Sequence, residues 1–146
     1  MEKFKPMPRY ENKYLIGDLG TIVSLDRLVR CVSKKGVEFF KPKKRCIINY
    51  SKKINGAGYY SVCFGDGKTF QVHRIIAQLF IPNKNNYSQV NHKDGNKLNN
   101  KRSNLEWVTP SQNIKHAFKL GLIKQQRDKL GRFSAPIISV EDSRSP

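Results

Sequence analysis

At 146 residues, with 38% hydrophobic content and a formal net charge of +17, the chain is long enough for one moderate domain or for two small units that share a core. No apolar run is long enough to cross a bilayer, and the N-terminus lacks the apolar centre of a signal peptide. The three cysteines form no C-x-x-C pair, which argues against a structural zinc site and favours free, buried thiols in a reducing cytoplasm.

The positive charge predicts a polyanionic partner. Lys and Arg number 28 against 11 Asp and Glu, and such an excess releases condensed counterions when it meets phosphates. A basic ribosomal protein or a membrane-surface protein would carry the same signature, so the charge alone does not choose among these classes.

The N-terminal third predicts β-structure. Pro6 and Pro8 favour an extended lead-in. The β-prone runs 14–16 and 21–25 flank a four-residue loop bounded by glycines, which is typical of a hairpin. Over residues 27–53, basic residues interleave with Val and Phe, which predicts further short strands with their charged faces outward.

The middle of the chain predicts a hairpin followed by a helix. Residues 59–64 alternate as a strand does, and an Asp-Gly turn leads into a second run at 69–72. Apolar residues at helical spacing then predict a helix over 73–80, which Pro82 ends. We expect this short helix to pack in the core beneath the hairpins.

The next segment predicts a ββα unit. Strands over 89–92 and 105–108 are separated by a long polar loop. Residues 109–112 combine an N-cap threonine, a proline suited to the first helical position and a glutamine that completes a capping box. The helix is predicted to end at about Leu120, with Gly121 as its terminator.

Three side chains of this unit suggest chemistry. His92 ends the first strand, Asn113 lies one turn into the helix, and His116 follows it at i+3 on the same face. If the unit packs compactly, His92 and Asn113 face each other across a cleft. A histidine can take a proton from a water that attacks a phosphodiester, and amide or carboxylate oxygens suit Mg²⁺ or Mn²⁺. Such an ion would offset the charge that develops on the phosphate and on the leaving 3′ oxygen.

Several separated positions, taken in order, resemble an HNH endonuclease of the phage- and intron-encoded homing type, which is built around a ββα-metal motif. The positions that carry this resemblance are Val72-His73-Arg74, the block 90–96 (VNHKDGN), Asn99-Asn100, the block 104–109 (NLEWVT) and Asn113. Upstream, residues 14–24 (YLIGDLGTIVS) resemble the NUMOD module, a nuclease-associated modular DNA-binding element. Together the two resemblances cover most of residues 9–117.

The resemblance implies a role for each motif position. His92 would be the general base, Asn104 would hold the long loop and so fix the geometry of His92, and Asn113 would ligate the metal. Asn91 matches a position where some relatives have a metal-binding aspartate. Its neutral amide implies weaker metal binding unless phosphate oxygens complete the coordination shell. His116 is a further candidate ligand, although a phosphate contact or simple exposure suits it equally.

Other polar residues of this region have simpler interpretations. Five of them suit turn geometry, namely Asp94, Gly95, Asn96, Asn99 and Asn100. His73 suits a structural or phosphate-contacting role, and Trp107 suits the core. The cluster Lys41, Lys43, Lys44 and Arg45 could be a solvated loop, but the nuclease-like site favours contact with phosphates.

The sequence thus predicts an α+β fold in which a small β-hairpin module precedes a ββα-metal nuclease unit with short helices. The predicted segments are a NUMOD-like module over 1–54, a nuclease domain over 55–121, a basic arm over 122–133 and a disordered tail over 134–146. The predicted partner is double-stranded DNA, in the cytoplasm of a bacterial host if the chain is phage-encoded, with monomer and dimer both open. The predicted DNA contacts are Lys41, Lys43, Lys44, Arg45, Arg74, Lys93, Lys97, Lys101, Arg102, Lys115 and Lys119.

Two alternatives to a metal-dependent DNA endonuclease stay open. A DNA-binding protein that kept the scaffold but lost activity is favoured by the neutral Asn91 and disfavoured by the intact His92 and Asn113. An RNA-binding or ribosome-associated protein fits the charge, but the sequence lacks the aromatic strand motif of common RNA binders.

Overall fold

The computed structural model of the protein describes residues 1–50 and 54–123. The basic arm and the tail predicted beyond residue 123 lie outside these residues. No helix in the described ranges is long and apolar enough to cross a membrane. The burial predicted for the cysteines is wrong, because Cys46 and Cys63 are exposed and Cys31 is only partly buried. The described strands are β1 (Phe4–Pro6), β2 (Tyr14–Gly17), β3 (Ile22–Ser24), β4 (Arg27–Val32), β5 (Glu38–Lys43), β6 (Cys46–Ile47), β7 (Ser61–Cys63), β8 (Thr69–Gln71), β9 (Gln89–His92) and β10 (Leu105–Val108). The described helices are α1 (Val72–Phe80) and α2 (Pro110–Lys119), with a 3₁₀ turn at Arg102–Asn104.

An antiparallel sheet in the order β1-β2-β3-β6 forms the N-terminal part of the fold. Its centre is the predicted hairpin, which is confirmed by the pairing of Tyr14 with Ser24 and of Ile16 with Ile22. Gly20 closes the turn at a φ of +109°, a conformation that side chains disfavour. The backbone N–H of Arg102 donates to the carbonyl of Asp18 in this turn, at 2.8 Å. The turn is therefore tied to the loop that precedes β10.

A single hydrophobic cluster joins the N-terminal sheet to the rest of the described chain. Its largest fully buried members come from β2 and β3, from β7 and the residue after it, and from α1: Ile16, Ile22, Val62, Phe64, Val72 and Ile76. Val90 of β9 and Leu105 of β10 belong to the same cluster. The helix predicted over 73–80 is confirmed and packs in the core as expected. Because β9 and β10 rest on this core, the strand that ends in His92 has a fixed position.

The β4–β5 hairpin lies outside that core. The predicted short strands exist, and Arg27 pairs with Lys43 while Val32 pairs with Glu38. The strands were predicted to have their charged faces outward, but apolar side chains on them are exposed as well. Leu28 is 68% exposed and Phe40 is 64% exposed, and β5 is exposed along its whole length. Residues 41–43 belong to this strand, so a solvated loop is the wrong description of that part of the basic cluster.

The ββα unit has the predicted order. Strands β9 and β10 are antiparallel, with His92 opposite Leu105 and Asn91 opposite Glu106. The predicted capping box of α2 is present: Thr109 Oγ1 accepts from the backbone N–H of Gln112, whose side chain accepts from the N–H of Thr109. Helix α2 follows β10 directly and lies against β9. Gly121, at a φ of +70°, follows the end of the helix as expected.

Candidate active site

His92 is placed by the end of β9 and is 4% exposed. Its Nε2 lies 3.2 Å from Oδ1 of Asn100, which is itself buried. An amide oxygen can only accept, so this contact is a hydrogen bond when Nε2 carries the proton, and Nδ1 then keeps the lone pair. Burial lowers the pKa of His92, although the Asn100 contact works in the opposite direction. The geometry therefore favours a neutral imidazole with one nitrogen available as a base.

Two aromatic side chains enclose the imidazole of His92. The ring of Tyr59 is stacked on it at a centroid distance of 5.9 Å, and the ring of His73 lies 5.1 Å away. Burial, together with the charges of His92 and Arg74, lowers the pKa of His73 to about 3. His73 is thus a neutral member of the wall around His92, in keeping with the structural role predicted for it.

The loop between β9 and β10 is held by the side chains of Asn104 and Asp94. Asn104 Nδ2 donates to Asp94 Oδ1 and to the carbonyl of Asn99, both at 2.9 Å, and Asn104 Oδ1 accepts from the N–H of Asp94 at 3.1 Å. Asp94 also accepts from the N–H of Asn96 and from Asn99 Nδ2. These are the contacts expected of a residue that fixes the loop after His92. The catalytic consequence assigned to Asn104 stays a prediction.

Helix α2 places Asn113 and His116 along the same cleft as His92. Asn113 Nδ2 donates to Gln89 Oε1 at 2.8 Å, which fixes the amide against β9. His116 Nδ1 lies 3.2 Å from Asn91 Nδ2. The cleft has a volume of about 340 Å³, and its lining includes Asn91, His92, Asn113 and His116. The structure therefore brings together the four side chains that the sequence proposed as base and ligands.

The donors of this cleft suit a hard divalent cation held loosely. The amide nitrogens of Asn91 and Asn113 are both engaged in hydrogen bonds, which leaves their carbonyl oxygens as the possible ligands. Within residues 1–50 and 54–123, no group of three or more His, Cys, Asp or Glu side chains is arranged to hold a metal ion. Neutral oxygens fit Mg²⁺ or Mn²⁺ when water or phosphate completes the shell. The donor set is compatible with such an ion, although it is weak.

The predicted DNA contacts fall into three places. Lys93, Lys97, Lys101 and Arg102 lie on the exposed loop after His92, and Lys115 and Lys119 lie on the exposed side of α2. Lys41, Lys43, Lys44 and Arg45 lie on β5 or just beyond it. Arg74 is half-buried on α1, and its guanidinium donates to the carbonyl of Ser88 at 3.3 Å. Arg74 is therefore partly committed to a contact within the protein.

Sequence reasoning missed three residues of the site. Asn100 was interpreted as a turn residue, which is wrong in emphasis, because its buried side chain contacts His92. Glu106 was not considered, yet its carboxylate accepts from Asn91 Nδ2 at 2.8 Å. Tyr59 gave no signal beyond its place in a predicted strand. The cross-strand register of the structure reveals Glu106, since it places this residue opposite Asn91.

The ββα unit, with a buried histidine at the end of its first strand and an asparagine on its helix, defines a class of nuclease domain. A family model described as HNH endonuclease matches residues 70–115, the range that holds α1, β9, β10 and the start of α2. Residues 70–115 of the chain are thus similar to the HNH endonuclease family. The predicted NUMOD module lies outside the matched range and stays a prediction.

Particular relatives share much of the chain. It is similar to the DNA endonuclease I-HmuI of Bacillus phage SP01, with 32% identity over 124 residues that cover 83% of this chain and 60% of that protein. A solved structure of I-HmuI, described as DNA binding and cleavage by this HNH homing endonuclease, matches with a TM-score of 0.59 and 26% identity over 94% of this chain and 78% of that one.

A second relative is an uncharacterised HNH endonuclease of Acanthamoeba polyphaga mimivirus. It is 47% identical over 79 residues, which cover 52% of this chain and 24% of the viral protein. By sequence alignment, the chain therefore spans about a quarter of this relative and less than two thirds of I-HmuI.

Proposed function

We propose that the protein is a metal-dependent endonuclease that hydrolyses phosphodiester bonds in duplex DNA, with His92 as the general base. The observation that carries this proposal is the buried His92, held through Nε2 by Asn100 at the edge of a cleft that Asn91 and Asn113 also line. A histidine that keeps one lone pair in such a cleft can take a proton from a water. The relationship to HNH endonucleases supports the same reaction.

The reaction assigns separate tasks to the residues of the cleft. The scissile phosphate would enter beside His92, whose Nδ1 takes the proton of the attacking water. Asn100 holds the tautomer, while Tyr59 and His73 exclude solvent from the other faces of the ring. The carbonyl oxygens of Asn91 and Asn113 would hold a Mg²⁺ or Mn²⁺ ion, with His116 as a further candidate ligand. When bound, such an ion offsets the charge on the phosphate and the leaving oxygen.

The exposed basic residues supply the affinity for DNA. Lysines on the loop after His92 would contact the phosphates that flank the cut, and the β4–β5 hairpin would contact a more distant part of the duplex. Contacts at two places along the duplex would define an extended recognition site, which suits site-specific nicking or cleavage as in homing endonucleases. If the chain is phage-encoded, this cleavage would take place in the cytoplasm of a bacterial host. The described chain holds one such cleft, so a monomer would nick one strand and a dimer would cut both.

The test is cleavage of supercoiled plasmid in the presence of Mg²⁺ or Mn²⁺. The chain should nick or linearise the plasmid, EDTA should stop it, and His92→Ala should lower the rate by about 10²- to 10⁴-fold while DNA binding is retained. Asn12→Ala, an exposed change purified in the same way, should cut like the parent and so controls for contaminating nucleases. Equal cleavage by His92→Ala would remove His92 from the mechanism.

A second candidate is a DNA-binding protein with little or no activity on the same scaffold. It is favoured by the neutral Asn91 and by the lack of an acidic ligand cluster among the described residues. Metal-dependent cleavage at stoichiometric protein would exclude it. Tight duplex binding without cleavage, under every divalent metal tried, would establish it in place of the nuclease.

A further inference from the structure

Asn91 is the position where the metal site lacks a negative charge, and a carboxylate lies directly behind it. Asn91 on β9 and Glu106 on β10 are cross-strand partners, so their side chains share one face of the hairpin. Glu106 Oε1 accepts from Asn91 Nδ2 at 2.8 Å, and His116 Nδ1 lies 3.2 Å from the same nitrogen. Both hydrogens of the amide are therefore directed at acceptors, one at Glu106 outside the cleft lining and one at His116 within it.

This arrangement determines which end of the amide faces the cleft. An ionised carboxylate only accepts hydrogen bonds, so Glu106 requires the –NH₂ end of Asn91 and would repel the carbonyl end. No side-chain hydrogen bond of the described residues uses Asn91 Oδ1. Asn91 lines the cleft and Glu106 does not. The carbonyl oxygen is thus the atom of Asn91 that is left for a cation, and Glu106 acts through Asn91.

We propose that Glu106 is a positioning residue for the divalent cation. It orients the carbonyl oxygen of Asn91, and its carboxylate on the neighbouring strand supplies the negative charge that Asn91 lacks. Partners that orient a metal ligand in this way are often worth about 10- to 100-fold in metal affinity. The proposal rests on the proposed function for the presence of the cation. It explains how a neutral ligand can serve at a position where a carboxylate would be expected.

The test measures cation binding and not only cleavage. Mn²⁺ is titrated into the full chain bound to a short duplex, and the loss of the electron paramagnetic resonance signal of free Mn²⁺ gives the affinity, with the duplex alone subtracted. All chains carry His92→Ala, so that the duplex stays intact, and the chain with this change alone is the parent for the comparison. Glu106→Ala removes both the acceptor and the charge, whereas Glu106→Gln keeps an acceptor for Asn91 and removes only the charge. Glu11→Gln, an exposed carboxylate that accepts from the backbone N–H of Arg9, is the matched control for charge.

The expected order of Mn²⁺ affinity is parent, then Glu106→Gln, then Glu106→Ala, with the last weaker by about 10- to 100-fold and the Glu11→Gln control unchanged. The difference between the two Glu106 variants reports the orienting contact, so it should disappear when Asn91 is also changed to alanine. Glu106→Gln is nearly isosteric, and a thermal melt of each variant checks that the fold is retained.

Three outcomes would overturn the inference. Affinities of both Glu106 variants within about twofold of the parent would show that Glu106 does not act on the cation. A difference between the variants that persists without Asn91 would show that Glu106 does not act through it. A parent complex that binds no Mn²⁺ would leave no cation to position. Plasmid cleavage by the wild-type chain is scored separately, so that a failed nuclease and a failed role for Glu106 give different results.

Discussion

The hairpins β9–β10 and β4–β5 are both antiparallel pairs, but their surroundings are opposite. Val90 and Leu105 anchor β9 and β10 in the hydrophobic cluster, and His92 at the end of β9 is buried. The loop between these strands is held by the side-chain contacts of Asn104 and Asp94. A site that must hold a water, a cation and a phosphate in fixed geometry gains from such support.

The described residues give the β4–β5 hairpin no comparable support. Its base is anchored by Arg27, whose guanidinium donates to the hydroxyl of Tyr14 at 2.9 Å. Farther out, Phe40 is exposed and Lys41 lies over the ring of Phe39 with its Nζ 5.2 Å from the centroid. A two-stranded ribbon of this kind fits the major groove of duplex DNA. From this comparison we propose that the chain separates its chemistry, placed on the core, from part of its affinity for DNA, placed on the exposed β4–β5 hairpin.

The largest effect is expected from neutralising the basic cluster on and just beyond β5. Changing Lys41, Lys43, Lys44 and Arg45 to glutamine should weaken binding to all duplexes alike, because phosphate contacts carry no sequence information. If all four contact phosphates, the slope of log affinity against log salt should be smaller in magnitude by about 3 to 4 in the variant. Between about 50 mM and 200 mM salt, the parent should then lose about 100-fold more affinity than the variant does. Fluorescence anisotropy over a salt series measures this slope.

The control for that variant neutralises Lys68 and Lys84, two exposed lysines outside the β4–β5 hairpin for which no DNA contact is proposed. An unchanged salt slope in the fourfold variant would refute the phosphate contacts. A loss of binding confined to one target sequence would show instead that the cluster reads base edges.

A smaller effect is expected from a change in the loop between β9 and β10. Asn104→Ala removes three hydrogen bonds that hold the loop after His92. A small displacement of a catalytic group is costly, so the single-turnover cleavage rate should fall by about 10- to 100-fold with little change in DNA affinity. Asn85→Ala, in a different loop, contacts the hydroxyl of Tyr87 and serves as the matched control. A lower affinity with an unchanged rate would place Asn104 in binding and not in positioning.

The smallest effect is a displacement of the pH profile. Burial lowers the pKa of His92 from its ordinary value of 6.5, and a general base works only when it is unprotonated. Cleavage should therefore persist below pH 6.5 and decline only at lower pH, where His92 gains its proton. Lys- and Arg-based binding should stay constant over the same range. Cleavage rates measured at saturating protein test this, and a decline that begins above pH 6.5 would contradict the buried, neutral His92.

The sequence predicted the elements of both regions better than their surroundings. The capping box of α2, the helix α1 and the order of the ββα unit follow from local signals of a few residues. The exposure of β4 and β5 does not, because interleaved Val and Phe residues look alike whether or not something packs on them. Lys41-Pro42-Lys43 contains a proline, which weakened the strand signal although an edge strand tolerates it.

The sequence predicted the site residues that occupy motif positions. It did not predict the contacts that depend on the register between β9 and β10. His92, Asn104 and Asn113 occupy motif positions, so their proximity followed from the ββα order. Glu106 is significant only because β10 pairs with β9 in one register, which a sequence does not state. Asn100 looked like a turn residue because Asn is common in turns, and its burial against His92 depends on the path of the whole loop.

The most direct test of the separation between chemistry and affinity is single-turnover cleavage of one duplex by three chains at rising protein concentration. The parent, His92→Ala and the fourfold variant at Lys41, Lys43, Lys44 and Arg45 would be compared with Mn²⁺ present. The account predicts that the fourfold variant reaches the parental rate but needs more protein, whereas His92→Ala binds like the parent and stays slow at every concentration. A fourfold variant that remains slow at saturation, or a His92→Ala chain that recovers its rate there, would contradict it.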